Sequence, residues 1–336
     1  DPFATPVDDV AAHLVVGPWV QGAATDSWSI VATHDIDLPW RWTRAGERRA
    51  ARRIRDELRA GRVGAAFATG CALAAAPIWR LLRDDPWSNA TRIRRFEWAR
   101  GARSTSYVLM AGNVPEDGAA DMHERGRERY VRRLVAGTRR RRAAGGGLIG
   151  LHGSFVASVT PGRIAEERAD LVKLVGDGVG DHRFHYLRHR PDRAWPELAA
   201  AGLTSDASLG YAEQPGFRAG TAHPFRAWHH EEDHVLDLVV LPLAFMDASL
   251  DPRYLDLGPT GSGEALALRA LERIREVGGS ASILFHNDRL CCVDSRPWTR
   301  LYGRLLDTTR AGGGTACTAH DAATRYRATL PPWLLA

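Results

Sequence analysis

Short apolar runs alternate along this 336-residue chain with longer polar segments of helical spacing. The run Ile30-Val31-Ala32 leads into Thr33-His34-Asp35-Ile36-Asp37. Successive side chains of a strand point to opposite faces, so Asp35 and Asp37 are predicted side by side at the end of a buried strand that Pro39 stops. Residues 104–110, 148–152, 184–187, 236–246, 280–285 and 315–318 read as further strands. Helix-favouring segments fall at 44–62, 63–83, 88–100, 122–143, 161–175, 192–201, 262–277 and 295–310, with Gly101 placed to close the third. Residues 1–27 carry turn formers without a sustained period and read as a lead-in segment. The body spans 28–325, and 326–336 is a C-terminal tail. Residues 204–228, rich in Gly, Pro and aromatic residues, read as a functional loop region. The alternation of strand and helix predicts an α/β fold, a single-domain parallel barrel.

Several predicted strands end in an ionisable residue: Asp37, His152, Asp247 and His286. In a parallel α/β barrel the carboxyl ends of all strands meet on one face, so these four would converge. Each alone has a bland reading, such as a structural histidine at a strand end; their coincidence favours a site. Two neighbouring carboxylates are costly unless a cation or an arginine lies between them. A carboxylate with imidazoles suits a divalent metal such as zinc, and Asp37 and His152 are the first ligands to expect. Arg183-Phe184-His185-Tyr186-Leu187-Arg188 offers a third. Read as a strand, it turns Arg183 and His185 the same way, Arg183 to neutralise Asp35 and His185 to reach the metal. Asp35 is then the general base on a metal-bound water, His286 the general acid, and Asp247 the group that orients and charges His286. This machinery hydrolyses an amide or an ester.

Composition changes little in that picture. The chain is 44% hydrophobic and 25% charged, with a formal net charge of +5. Lys173 is the only lysine. The arginines sit on expected helix faces rather than in a stripe interleaved with aromatics, so no nucleic-acid partner is expected. Arg139 to Arg142 read as favourable charge at a helix C-terminus. Cys71, Cys291, Cys292 and Cys317 lack the spacing of a thiolate zinc site or a disulfide framework. The longest uncharged run, Val63 to Trp79, contains a proline and falls short of about 20 strongly apolar residues, so it reads as a packed core helix rather than a membrane span. No secretion signal is evident, which points to the cytoplasm.

The segments Thr33-His34-Asp35-Ile36-Asp37, Ile149-Gly150-Leu151-His152-Gly153-Ser154, Arg183 to Arg188 and Ile283-Leu284-Phe285-His286-Asn287 resemble, in order, the motifs of the polysaccharide deacetylases, carbohydrate esterase family four. Gly101 to Tyr107, Leu209-Gly210-Tyr211, Gly216 to Thr221 and Pro242 to Asp247 resemble a divergent bacterial branch, and the resemblance covers about residues 28–320. It implies a distorted (β/α) barrel of about seven strands, a divalent metal, usually zinc, and removal of an N- or O-acetyl group from a sugar. It also implies Asp35 as base, Asp37 and His152 as ligands, Arg183 as the partner of Asp35 and His286 as acid. One position departs. The family's second metal-binding histidine falls on Val156, which leaves His185, Ser154 or a water to complete the site.

Arg218 could bind an anionic group of the substrate, and Thr221 lies in the same segment. Tyr211 and Trp228 could stack on a sugar; a loop salt bridge and core packing are the alternatives. His229, His230, Glu231, Glu232 and Asp233 read as a solvated loop. The reading chosen is a metal-dependent deacetylase of an acetylated sugar or glycoconjugate, N-acetyl before O-acetyl. The alternatives are a hydrolase of another C–N bond in a natural-product glycoside and a non-catalytic carbohydrate-binding relative.

Overall fold

The structure is a computed structural model that describes residues 2–5, 7, 28–82, 84–110, 124–138, 149–176, 178–188, 190–290 and 295–331. Strand β1 (Ser29–Ile36) is buried along its whole length. It is followed by α1 (Arg44–Arg59), α2 (Val63–Ala74), α3 (Ala76–Leu81), α4 (Ala90–Trp98), β2 (Thr105–Leu109), α5 (Glu124–Thr138), β3 (Ile149–Gly153), α6 (Arg163–Val175) and β4 (Asp181–Phe184). Then come α7 (Pro191–Ala200), β5 (Ser205–Asp206), β6 (Phe225–His229), β7 (His234–Val240), β8 (Leu243–Met246), α8 (Ser262–Glu276), β9 (Ser280–Leu284), α9 (Arg296–Ala311), β10 (Thr315–Cys317) and α10 (Ala319–Thr329).

The strands form one mixed sheet in the order β6-β7-β5-β4-β3-β2-β1-β9-β8, with β10 also pairing β1. All neighbours are parallel except the β6–β7 hairpin. The sheet is a curled half-barrel, and Arg183 shows why it must curl. In a flat sheet β4 and β1 would lie about 14 Å apart, three strand spacings. Yet the Arg183 guanidinium, on β4, donates to Thr33 and Asp35 of β1 at 2.7 and 3.0 Å. It also reaches Ser282 of β9 at 3.4 Å and the Ala207 carbonyl at 2.9 Å. These bonds run as chords across a concave interior. The two outer regions of the sheet meet through covalent chain, since only Leu241 and Pro242 separate β7 from β8. The Pro242 carbonyl accepts from the Ser282 backbone N–H and hydroxyl, which pins that corner.

β1 sorts its side chains accordingly. Ile30 joins the outer core under α8 and α9, and Ile36 the one under α5 to α7. Val31 faces inward onto a third cluster, with Tyr107, Val239, Leu241 and the alanines 319, 322 and 323 of α10. Thr318 and Asp321 start α10 with a reciprocal capping box. Gly150 is required beside this interior, because a Cβ there would lie 2.6 Å from the Tyr107 ring. That ring in turn lies 4.7 Å beneath the Arg183 guanidinium. On the outer face His34 donates Nδ1–H to the Phe285 carbonyl at 2.9 Å, because a carbonyl only accepts. Its Nε2 lies 2.7 Å from Glu97, whose carboxylate also accepts from Tyr302 at 2.6 Å and Ser104 at 2.8 Å.

Four expectations change. The run from Val63 to Trp79 is not a core helix: it breaks between α2 and α3, and Phe67 is 73% exposed. It packs on α1 instead of on the sheet, so one side stays uncovered. Residues 184–187 are not a strand; β4 ends at Phe184 and a 3-10 turn takes His185–Leu187, with Tyr186 and Leu187 at φ of 59° and 53°. The strand expected at 236–246 is two, broken at Pro242, which has no N–H for a ladder. The seven strands expected become ten among the described residues: β5 and the antiparallel β6 are additional, and the run at 236–246 counts twice, as β7 and β8. The Arg139–Arg142 run, Cys291 and Cys292 lie outside the described residues.

Candidate active site

Asp35 and Asp37 alternate onto the concave side, at the carboxyl end of β1 and one residue past it. Asp35 is buried, with one oxygen held by Arg183 at 3.0 Å. Its other oxygen lies 3.5 Å from His152 Nε2. His152, near the end of β3, has Nδ1 2.9 Å from the Arg183 carbonyl. A carbonyl can only accept, so Nδ1 carries a proton and Nε2 is turned to the site.

That nitrogen faces Asp37 Oδ1 at 3.2 Å. Neither atom has a hydrogen-bond partner, and both are buried. An imidazole nitrogen and a carboxylate oxygen so placed need a proton or a metal ion between them. His185 Nε2 lies 3.6 Å from the other Asp37 oxygen. One ligand atom from each of Asp37, His152 and His185 fits within 4.8 Å of the others. Zinc with N and O ligands at about 2.0–2.2 Å sets adjacent donors roughly 3.3 Å apart in a tetrahedron, so the donor set fits such an ion.

The 3-10 turn after β4 supplies the third donor. His185 packs edge-on to His152, with ring centroids 5.1 Å apart, and stacks on Tyr186 at 3.8 Å. Ser154, the alternative donor near Val156, is otherwise engaged: its hydroxyl donates to Glu167 at 2.5 Å, and its backbone N–H to the same carboxylate at 2.9 Å. Val156 sits in the turn after β3.

From the other side comes His286, two residues beyond β9. Its Nδ1 lies 2.6 Å from Asp247, which also accepts its backbone N–H at 2.8 Å. Its Nε2 points to the site, 3.7 Å from Asp37. Burial pushes the His286 pKa down, but the Asp247 charge and hydrogen bond, aided by Asp37 and Asp35, hold it well above the ordinary histidine value. Asp247 is correspondingly depressed: burial raises it, and the His286 charge, its two hydrogen bonds and the Arg289 charge together more than reverse that. Burial raises Asp37 in the same way, yet His185, His152 and His286 together hold it well below the usual carboxylate range.

A cavity of about 310 Å³ opens onto this cluster and is lined by Asp35, Asp37, His185 and His286. Arg49, Tyr186, Asp251, Asp288 and Arg289 line it too, and sequence reasoning named none of them as site residues. The signal for Asp288 and Arg289 was their place directly after His286-Asn287. Asn287 itself donates to the Leu38 and Trp87 carbonyls at 3.2 and 3.0 Å, and so ties the segment after Asp37 to the turn before α4. A larger groove, about 920 Å³, runs along α4 and α9, lined by Arg92, Phe96, Arg100, Arg300 and Arg304 among others. It holds none of the clustered imidazoles, so the candidate site is the smaller cavity.

Tyr211, Arg218 and Thr221 do not line the cavity. Arg218 is exposed and donates to the Gly210 carbonyl at 3.4 Å, while the Thr221 hydroxyl accepts from the His223 N–H at 3.0 Å. Trp228 and His229 lie on β6, and His230 to Asp233 form its hairpin turn with β7.

No family model matches the sequence, and no curated protein matches it. Solved structures do. A protein assigned as a polysaccharide deacetylase from Mycobacterium smegmatis superposes with a TM-score of 0.54 over 92% of this chain and 94% of its own, at 16% identity. The chain has the fold of the polysaccharide deacetylases. A second protein so assigned, from Pseudomonas aeruginosa PAO1, gives a TM-score of 0.46 over 71% of this chain and 73% of its own, at 12% identity. In this fold Asp37, His152 and His286, three of the four strand-end residues expected to converge, lie together with Asp35, and Asp247 contacts His286.

Proposed function

We propose that the chain is a metal-dependent deacetylase acting on an acetylated sugar or glycoconjugate, N-acetyl before O-acetyl. The observation that carries this is the pair of buried polar atoms without a hydrogen-bond partner, Asp37 Oδ1 and His152 Nε2, facing each other at 3.2 Å with His185 beside them. Those three residues would hold the metal, with zinc the best match to one carboxylate and two imidazoles. A divalent ion there supplies Lewis acidity and a water of lowered pKa.

The chain's own groups divide the proton work. Arg183 holds one oxygen of Asp35 and fixes its orientation, leaving the other to take a proton from the attacking water. His286, kept protonated by Asp247, delivers a proton from Nε2 to the departing nitrogen or oxygen. Arg183 is fully buried and four-fold hydrogen-bonded, so its role is positioning.

Metal analysis of the purified protein, joined to acetate release from a panel of N- and O-acetylated sugars, tests the proposal. One equivalent of divalent metal and acetate release from at least one sugar are expected. Protein that takes up no metal at saturating zinc overturns the site; metal-loaded protein that releases acetate from no member of the panel overturns the activity.

A further inference from the structure

The helices inserted between β1 and α4 carry an uncovered apolar stripe. Leu58, Val63, Phe67, Ile78, Leu81 and Leu82 are 53%, 64%, 73%, 60%, 83% and 63% exposed, six of the most exposed large apolar side chains among the described residues. Val63, Phe67, Cys71, Ala74, Ile78 and Leu81 recur at three- and four-residue steps, which places them along one side of α2 and its continuation α3. All six are exposed. The segment Val63–Leu81 has the length and mean hydropathy, 1.2, of a membrane helix, but only 17% of it is buried and it breaks at Ala75. Contiguous exposed apolar surface of this kind marks a docking face.

Charge says what docks there. Residues 44–82 hold nine arginines against Glu47, Asp56 and Glu57. Each acid is already taken: Glu47 by Arg80, Glu57 by Arg62 and Arg53, Asp56 by Arg55 and Arg59. Arg44, Arg48 and Arg52, one helical turn apart on α1 and exposed, make no ion pair within the described residues. A second copy of this chain would bring the same excess of positive charge against itself. An exposed apolar stripe and an excess of arginine on the same hairpin suit a surface that is at once anionic and hydrocarbon-backed.

We propose that this helical hairpin seats the protein on an anionic lipid surface, with Phe67, Ile78 and Leu81 entering the headgroup–acyl boundary and Arg44, Arg48 and Arg52 meeting lipid phosphates. The hairpin follows Asp35 and Asp37 directly in sequence, and its Arg49 lines the catalytic cavity. Seating would therefore hold that cavity near the lipid surface.

Co-sedimentation of the full chain with vesicles tests this. Phosphatidylcholine vesicles are compared with vesicles containing phosphatidylglycerol, at low and high salt. Binding is expected to the anionic vesicles and to weaken with salt. F67S/I78S/L81S and R44E/R48E/R52E should each reduce it about tenfold or more, with melting temperatures unchanged. Absent binding, equal binding to neutral vesicles, or binding indifferent to both variants overturns the proposal. If the serine variant instead turns a dimer into a monomer, the stripe belongs to a second copy. If it only lowers the melting temperature, the stripe belongs to the chain's own packing. Neither result depends on deacetylase activity.

Discussion

His34 and Asp35 are neighbours on β1 that face opposite ways, and each enters a cluster of histidine and carboxylate. Outside, His34, Glu97, Tyr302 and Ser104 satisfy one another with four short contacts of 2.6–2.9 Å, counting the Phe285 carbonyl. Inside, Asp37 Oδ1 and His152 Nε2 face each other with no hydrogen-bond partner. The residue types are nearly the same. The outer cluster is closed and ties β1 to the end of β9; the inner leaves two buried polar atoms without a hydrogen-bond partner. Unmet polar capacity, rather than residue type, separates a site from a structural network.

The sharpest way to break that comparison is to remove an inner ligand. Asp37→Ala should abolish stoichiometric metal by elemental analysis and lower acetate release about a thousandfold or more. Asp35→Asn should keep the metal and lose about a hundred- to ten-thousandfold in turnover. Full activity in the D35N enzyme would remove Asp35 as the base.

The outer cluster should respond the other way. Glu97→Ala leaves His34 and Tyr302 buried without their acceptor, and should cost about 3 kcal/mol in denaturant unfolding. Metal affinity of the folded fraction should be unchanged; a Glu97→Ala protein that is stable but metal-free would erase the distinction between the two clusters.

Asp247→Asn sharpens the inner site by pH. The raised His286 pKa adds stability that is present below the ordinary histidine value of about 6.5 and is lost as pH rises through its folded value. The depressed Asp247 pKa adds stability that is present above about 3.9 and is lost as pH falls through its folded value. Without the carboxylate, His286 should lose its proton sooner, and the alkaline limb of the activity profile should move to lower pH. An unmoved limb would exclude His286 as the acid. The smallest effect expected is Tyr302→Phe, about 1 kcal/mol of stability with the pH profile intact.

Much of this was legible in the sequence because strand periodicity and strand ends carry it. Alternation put Asp35 and Asp37 on one side, and the parallel α/β rule gathered Asp37, His152, Asp247 and His286. His185 was reached for a partly wrong reason. It contacts the site from a tight turn whose next two residues, Tyr186 and Leu187, adopt a left-handed backbone that neither side chain advertises. The hairpin β6–β7 was hidden because β6 mixes aromatic, charged and small residues without clean alternation. Pro242 did announce a break and was read through. Exposure of Phe67 and Ile78 was illegible in principle: an apolar run states what should avoid water, not whether neighbouring elements cover it.

Arg183 has a consequence for how such a chain can drift. It ties β4 to β1, β9 and the end of β5 from one guanidinium, so a lineage that replaced it would loosen the sheet along with the site. Asp37 and His152 have no comparable role in holding strands together, and an apolar pair in their place would leave the architecture standing. Under relaxed selection those two should erode first and Arg183 last.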